Sequence, residues 1–187
     1  MAMPRSEYYT AEQVRNFPDD GNRYETAHGE LLVTPAPRRE HQLVLARLYL
    51  AIANYLAVHG IEGALWSPAD ITFGPDTLVQ PDLFVVDQWS VHHAREWADI
   101  RELYLVIEAL SPSTERADRF TKRRLYQEQR IPSYWIVDID QLLVEVWTPD
   151  AATPFVERDR LVWRHPELDT DCVVELLQIF RELSSQA

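Results

Sequence analysis

The chain has little of several things that would narrow its chemistry at once. It holds a single cysteine, Cys172, in 187 residues. That excludes an internal disulfide and a cysteine-rich zinc site, and it fits a reducing, cytoplasmic setting. Of its 5 glycines none is spaced as G-x-G-x-x-G or G-x-x-x-x-G-K-[ST], so the usual backbone cradles for dinucleotides and nucleoside triphosphates are missing. No stretch joins a basic start to a long apolar run, and no continuous apolar segment approaches the roughly 20 residues of a membrane span. The expectation is an untargeted protein with no membrane partner. Positive charge is scarce too: 30 acidic residues against 18 basic ones give a formal charge of −12. This argues against an indiscriminate nucleic-acid coat, whose affinity comes chiefly from Lys and Arg neutralising phosphate.

Lysine is the scarcest charge of all. The chain has 17 arginines and one lysine, Lys122. Where only positive charge is needed arginine evidently serves, so the one retained ammonium is a catalytic candidate: it is a compact charge on a flexible stem, whereas guanidinium stays protonated. The alternative is chance, because a sole lysine must sit somewhere. The cations are also unevenly placed. None occurs between Arg47 and Arg95, whereas Arg116, Arg119, Lys122, Arg123, Arg124 and Arg130 crowd a short stretch. That stretch reads either as a phosphate-facing helix or as a solvated face balanced by Glu115, Asp118 and Glu128.

What is present is enough for a core. Apolar residues make up 46% of a 21.8 kDa chain, which predicts one globular domain over residues 1–187. Thr10 with Gln13 matches a capping box for a short helix toward Phe17. Tyr24–Ala27 and Glu30–Thr34 read as a hairpin turning at His28-Gly29. Apolar spacing predicts a long helix from Arg38 to His59. Strands follow at Gly63–Trp66, Asp70–Phe73 and Pro81–Val86. Leu103–Leu110 (LYLVIEAL) is nearly continuous in apolar residues, as in a strand buried on both faces. A helix from Glu115 to Gln129 then leads to a strand at Ser133–Asp138, and such a crossover makes the two strands parallel neighbours. Leu142–Thr148, Phe155–Glu157, Leu161–Trp163 and Cys172–Glu175 read as further strands, and Leu176–Leu183 as a closing helix. Trp135 and Trp147 are expected in the core and Cys172 as an inert buried thiol. The histidines His28, His59, His92, His93 and His165 lack metal-ligand spacing and are expected in turns or on the surface.

Two carboxylates stand where a core should be. Asp82 begins the LFVV strand and Glu108 interrupts LYLVIEAL; an unpaired buried carboxylate costs several kcal/mol or takes up a proton. Each reads as an arginine ion pair or as a metal ligand. With Glu30 on the hairpin and Lys122 after the Glu108 strand, the set contains what phosphodiester hydrolysis needs. A divalent ion polarises the phosphoryl oxygen and acidifies water, a hard cation such as magnesium takes oxygen ligands, and a lysine orients the attacking water or stabilises charge on phosphorus.

The ordered set Glu30, Gln80-Pro81-Asp82, Glu108-Ala109-Leu110-Ser111-Pro112-Ser113-Thr114, Lys122 and Tyr126 resembles the Uma-type restriction endonucleases of the PD-(D/E)XK nuclease superfamily. The resemblance covers about residues 22–150. It includes Tyr24-Glu25, Gly29-Glu30-Leu31, Pro35-Ala36-Pro37 with His41 beyond, and Ile131-Pro132-Ser133-Tyr134-Trp135-Ile136-Val137-Asp138. It implies an α/β fold: a restriction-endonuclease-like mixed central sheet flanked by helices, with added antiparallel strands. It further implies that Asp82 and Glu108 bind Mg2+ or Mn2+, with the Ala109 carbonyl beside them and Glu30 as an additional ligand. The superfamily's lysine stands two residues after the second acid, where this chain has Leu110; in the Uma-type branch Lys122 matches the migrated position.

The reading is therefore a divalent-metal-dependent endodeoxyribonuclease with DNA as partner and Asp82, Glu108, Lys122 and Glu30 as its core. Arg116, Arg119, Arg123, His41 and Tyr126 are candidate nucleic-acid contacts, and a homodimer is a candidate assembly. Two alternatives stay open: a silent nuclease-fold module that binds nucleic acid or protein, and a hydrolase of another phosphate ester.

Overall fold

A computed structural model describes residues 7–183. In chain order its elements are helix α1 (Ala11–Arg15), strands β1 (Arg23–Ala27) and β2 (Glu30–Thr34), helix α2 (Arg39–Val58), and strands β3 (Leu65–Trp66), β4 (Ile71–Gly74), β5 (Thr77–Val79) and β6 (Leu83–Val86). Helix α3 (Gln88–His93), a 3₁₀ turn (Trp97–Asp99), strand β7 (Leu103–Ala109), a π-helical segment (Ala117–Lys122), helix α4 (Arg123–Glu128) and strands β8 (Tyr134–Asp138) and β9 (Leu143–Trp147) follow. Strands β10 (Phe155–Glu157), β11 (Arg160–Trp163) and β12 (Cys172–Glu175) and helix α5 (Leu176–Ile179) close the chain.

The central sheet has the order β10-β9-β8-β7-β6-β3. Only β7 and β8 run parallel, joined through the π-helical segment and α4 as the crossover requires, and their neighbours are antiparallel. This is the mixed sheet expected of the fold. A second sheet, β2-β1-β5-β4, and the ribbon β11-β12 lie beside it. The β1-β2 hairpin forms where expected, because His28 and Gly29 both take the left-handed φ values, 52° and 81°, that its two-residue turn demands.

Strand alternation sorts the core into two layers. Leu83, Val85, Leu105, Ile107, Trp135 and Val137 face α2, β11, β12 and α5. Phe84, Val86, Val106, Tyr134 and Ile136 face α4 and the second sheet, meeting Leu125, Tyr126, Ala27, Ile71 and Val79. Trp135, Trp147 and Cys172 are buried as expected, and burial pushes the Cys172 thiol up to about 11.

The structure departs from the sequence reading in several places. Helix α2 is, by length and composition, apolar enough to cross a membrane, although the sequence offers no continuous apolar run of that length. Val44, Leu48, Ile52 and Leu56 nevertheless give it a core-facing stripe at helical spacing. Thr77–Val79 is a strand between the expected strands Asp70–Phe73 and Pro81–Val86; it is short, and β1 and β4 flank it. The expected helix from Glu115 turns π-helical over Ala117–Lys122 before it continues as α4. His165 is fully buried rather than superficial, with its ring edge-on to Tyr104 and Trp163.

Candidate active site

The pairing of Leu83 with Ile107 on antiparallel strands brings Asp82, one residue before, beside Glu108, one residue after. Both are nearly fully buried. Asp82 is held on three sides. Its Oδ1 accepts from Arg23 Nη1 at 2.9 Å, and its Oδ2 lies 3.0 Å from His41 Nε2 and accepts from the Ala109 backbone N–H at 3.0 Å. Burial pushes this carboxyl up, but the His41 hydrogen bond, the Arg23 and His41 charges and the Ala109 N–H outweigh it and hold it at about 2. Asp82 is therefore ionised, with acceptor capacity to spare on Oδ1.

Glu108 is in the opposite condition. Its Oε1 accepts from Lys122 Nζ at 3.0 Å and from the Tyr126 hydroxyl at 3.1 Å. Burial drives its pKa well above the carboxylate range; Lys122 offsets this in part, and Asp118, Asp82 and Glu25 reinforce it.

Lys122 is the hub. Its ammonium lies 2.9 Å from Glu25 Oε2, 3.0 Å from Glu108 Oε1 and 3.5 Å from Asp118 Oδ1. Burial alone would lower its pKa, but Glu108, Glu25 and Asp118 raise it well above the usual lysine value, so the ammonium is retained. The π-helical turn stacks Asp118 and Lys122 on one face; such turns recur at functional sites. Burial lifts Asp118 to about 6 against the pull of Lys122.

Counting formal charges, the buried carboxyls of Glu25, Asp82, Glu108 and Asp118 surround the cations Arg23 and Lys122. With His41 left out of the count, the excess of two negative charges is what one divalent cation would neutralise, and the same crowding with burial raises the pKa of both Glu108 and Asp118. A cleft of about 220 Å³ opens onto Arg23, His41, Asp82, Glu108, Asp118 and Lys122.

The donor set suits a hard ion: the carboxylates of Asp82, Glu108, Asp118 and Glu25 are all oxygen ligands, and among the described residues the last two pair with no cation but Lys122. Among the described residues no three acidic, histidine or cysteine side chains already converge into a cage. The chemistry present would suit an ion held by Asp82 and Glu108 with water completing its shell, as magnesium accepts.

Of the residues expected from sequence, Asp82, Glu108, Lys122 and His41 come together and Glu30 does not. Glu30 opens β2 opposite Ala27 and is exposed, and among the described residues its side chain accepts one hydrogen bond, from Thr121 Oγ1 at 3.5 Å. Glu25, not Glu30, is the hairpin carboxylate that reaches the cluster, through the Lys122 ammonium. Both project from the same face of the hairpin, but Glu30 stands two residues nearer its tip, roughly 7 Å away along the strand.

Tyr126 is a fully buried donor to Glu108 rather than a contact for nucleic acid. Arg119 is committed to Glu115, Asp138 and Glu145. Arg123 donates to the Arg119 carbonyl and to Gln127 and lies over the Trp147 ring. Arg116 is exposed and makes no ion pair among the described residues. Sequence reasoning missed Arg23, Glu25 and Asp118. The signal for Glu25 was its alternation with Arg23 and Ala27 along β1, and for Asp118 its place four residues before Lys122.

Comparison with known proteins gives the same direction. The family model Uma2, described as "Putative restriction endonuclease", matches residues 7–169. The crystal structure of a putative nuclease belonging to DUF820 from Anabaena variabilis superposes with a TM-score of 0.70 at 20% identity, over 92% of this chain and 97% of that one. At that identity the likeness speaks for a shared fold. No curated protein matches the chain. The family match spans most of the sequence, and the chain belongs to the Uma2 family of restriction-endonuclease-like nucleases.

Proposed function

We propose that the protein is a divalent-metal-dependent endonuclease hydrolysing phosphodiester bonds in DNA, in the cytoplasm. The observation that carries this reading is the excess of buried carboxylate over buried cation around Asp82, Glu108 and Lys122. Asp82 and Glu108 would hold Mg2+ or Mn2+, which when bound would supply Lewis acidity and an acidified water. Arg23 and His41 fix the Asp82 carboxylate in one orientation. Tyr126 and Lys122 fix Glu108 by its Oε1, which leaves Oε2 without a hydrogen-bond partner among the described residues. Lys122, kept protonated by Glu25, Asp118 and Glu108, presents an ammonium at the cleft that lowers the cost of charge gathering on phosphorus. Glu25 acts through Lys122 and is a positioning residue.

The test is nicking of supercoiled plasmid and cutting of single-stranded DNA with Mg2+ or Mn2+. Wild type should cut, chelation should stop it, and Asp82→Ala, Glu108→Ala and Lys122→Ala should each abolish it. No cutting by folded, metal-binding wild type refutes the reading.

A second reading, a nuclease-fold module without turnover, is favoured by one observation: Asp82 is already paired with Arg23 at 2.9 Å. Metal affinity that is lost in Asp82→Ala argues against it.

A further inference from the structure

We propose that a second cleft, adjoining the carboxylate cluster, receives an unstacked nucleobase of the strand being cut, which makes single-stranded or locally unpaired nucleic acid the substrate class; this rests on the nuclease reading above. The cleft measures about 550 Å³ and is walled by Pro37, Leu45, Tyr49, Leu50, Pro68 and Leu83. Its inner end is formed by Arg23, His41 and Asp82, which also line the carboxylate cleft, so the two are continuous.

The wall on α2 is unusual for a solvated helix face. Gln42, Ala46, Tyr49 and Leu50 follow at i, i+4, i+7 and i+8 and are exposed, Leu50 at 59% and Tyr49 at 38%. This outward stripe flanks the core-facing one and contributes to an α2 apolar enough for a membrane span. An ordinary soluble helix would carry charge there.

The chemistry of the cleft selects its occupant. Its volume falls among sites for small molecules, roughly 300–1,000 Å³, and a concave pocket ending on a catalytic carboxylate suits one planar group better than the flat face of a partner helix. A tyrosine ring and two prolines offer surfaces on which any base can stack. The Gln42 amide and the Ser67 hydroxyl supply donors and acceptors for a base edge. The basic side chains among the lining residues, Arg23 and His41, are both paired with Asp82, and the chain carries −12 overall. Affinity must therefore come from stacking and apolar contact more than from neutralising phosphates along a duplex. A base paired within a duplex does not expose its face, and an unpaired one does.

The test uses matched DNA oligonucleotides carrying 2-aminopurine, single-stranded and duplex, with wild type, Tyr49→Ala and Leu50→Glu. Binding is read by 2-aminopurine fluorescence with Ca2+, cleavage with Mg2+ or Mn2+, Mn2+ affinity by calorimetry and oligomeric state by sedimentation. Wild type should bind and cut the single strand roughly tenfold or more better than the duplex, and each variant should lose roughly tenfold in binding while keeping its Mn2+ affinity. Duplex handled as well as single strand, or variants that bind like wild type, overturns the cleft and leaves the nuclease reading intact. Binding by the base without cleavage of any oligonucleotide supports the cleft and refutes the nuclease. Neither binding nor cleavage refutes both. Loss of a dimer in Tyr49→Ala with unchanged 2-aminopurine signal overturns the proposal in favour of a second copy of the chain.

Discussion

Replacing Asp118 by asparagine should make the metal-free protein more stable at pH 8, although it removes a carboxylate 3.5 Å from the Lys122 ammonium. Burial raises the Asp118 pKa from 3.8 to about 6 with the attraction of Lys122 already included. That interval corresponds to about 3 kcal/mol in favour of the neutral acid. The folded pKa lies above the unfolded one, so the folded state binds this proton more tightly. The ionised group therefore costs stability above about pH 6, the cost shrinks as pH falls through about 6, and it is gone below 3.8. Asparagine mimics the protonated acid in shape. Asp118→Asn should thus gain on the order of 3 kcal/mol in unfolding free energy at pH 8 and close to nothing near pH 3.5. Urea denaturation of both proteins with chelator present, at the two pH values and matched ionic strength, measures this. A destabilisation at pH 8 that shrinks or vanishes near pH 3.5 would refute the reasoning, because it would show the carboxylate to be a net favourable partner of Lys122 and the cluster not to be overcharged.

Asp82 should behave with the opposite sign. Its pKa is held at about 2 against 3.8, so it contributes about 2 kcal/mol that is present above pH 3.8 and lost as pH falls through about 2; Asp82→Asn should lose that stability at pH 7 in the same urea series and nothing near pH 2. Glu30→Ala should cut plasmid within about threefold of wild type, whereas Glu25→Gln, which loosens Lys122, should lose about tenfold to a hundredfold in rate. Tyr126→Phe removes one donor to Glu108 and should lower stability by about 1 kcal/mol in thermal or urea unfolding.

The parts legible in the sequence were those written in local periodicity or chemical incongruity. LYLVIEAL had to be a buried strand, and a carboxylate inside it had to be satisfied; β7 and Glu108 bear this out. Lys122 stood out by composition, and the structure places it at the hub of the cluster. The missing half of the site has a different origin. Glu25 and Glu30 belong to one hairpin face, and which of them reaches Lys122 depends on how the β1-β2 hairpin lies over the central sheet, a tertiary fact that no spacing records. Arg23 reaches Asp82 across 59 residues of sequence, again without a local trace. Asp118 was read as a counter-charge on a solvated helix face because the arginine crowding masked it; the π-helical turn instead rotates it inward with Lys122. Arg119 and Arg123 misled for the converse reason: their basicity serves Glu145, Asp138 and the Trp147 ring. His165 was expected in a turn or on the surface because its burial depends on packing between Tyr104 and Trp163, which no spacing records.

The account's central claim is that the buried cluster is overcharged and takes a divalent ion at Asp82 and Glu108. Calorimetric titration of Mn2+ at pH 7.5 into wild type, Asp82→Ala and Glu108→Gln tests it most directly. Saturable binding of one or two ions by wild type, lost in both variants while they remain folded, is the predicted result. Wild type that is folded and takes up no Mn2+, or variants that bind it as wild type does, would contradict the account.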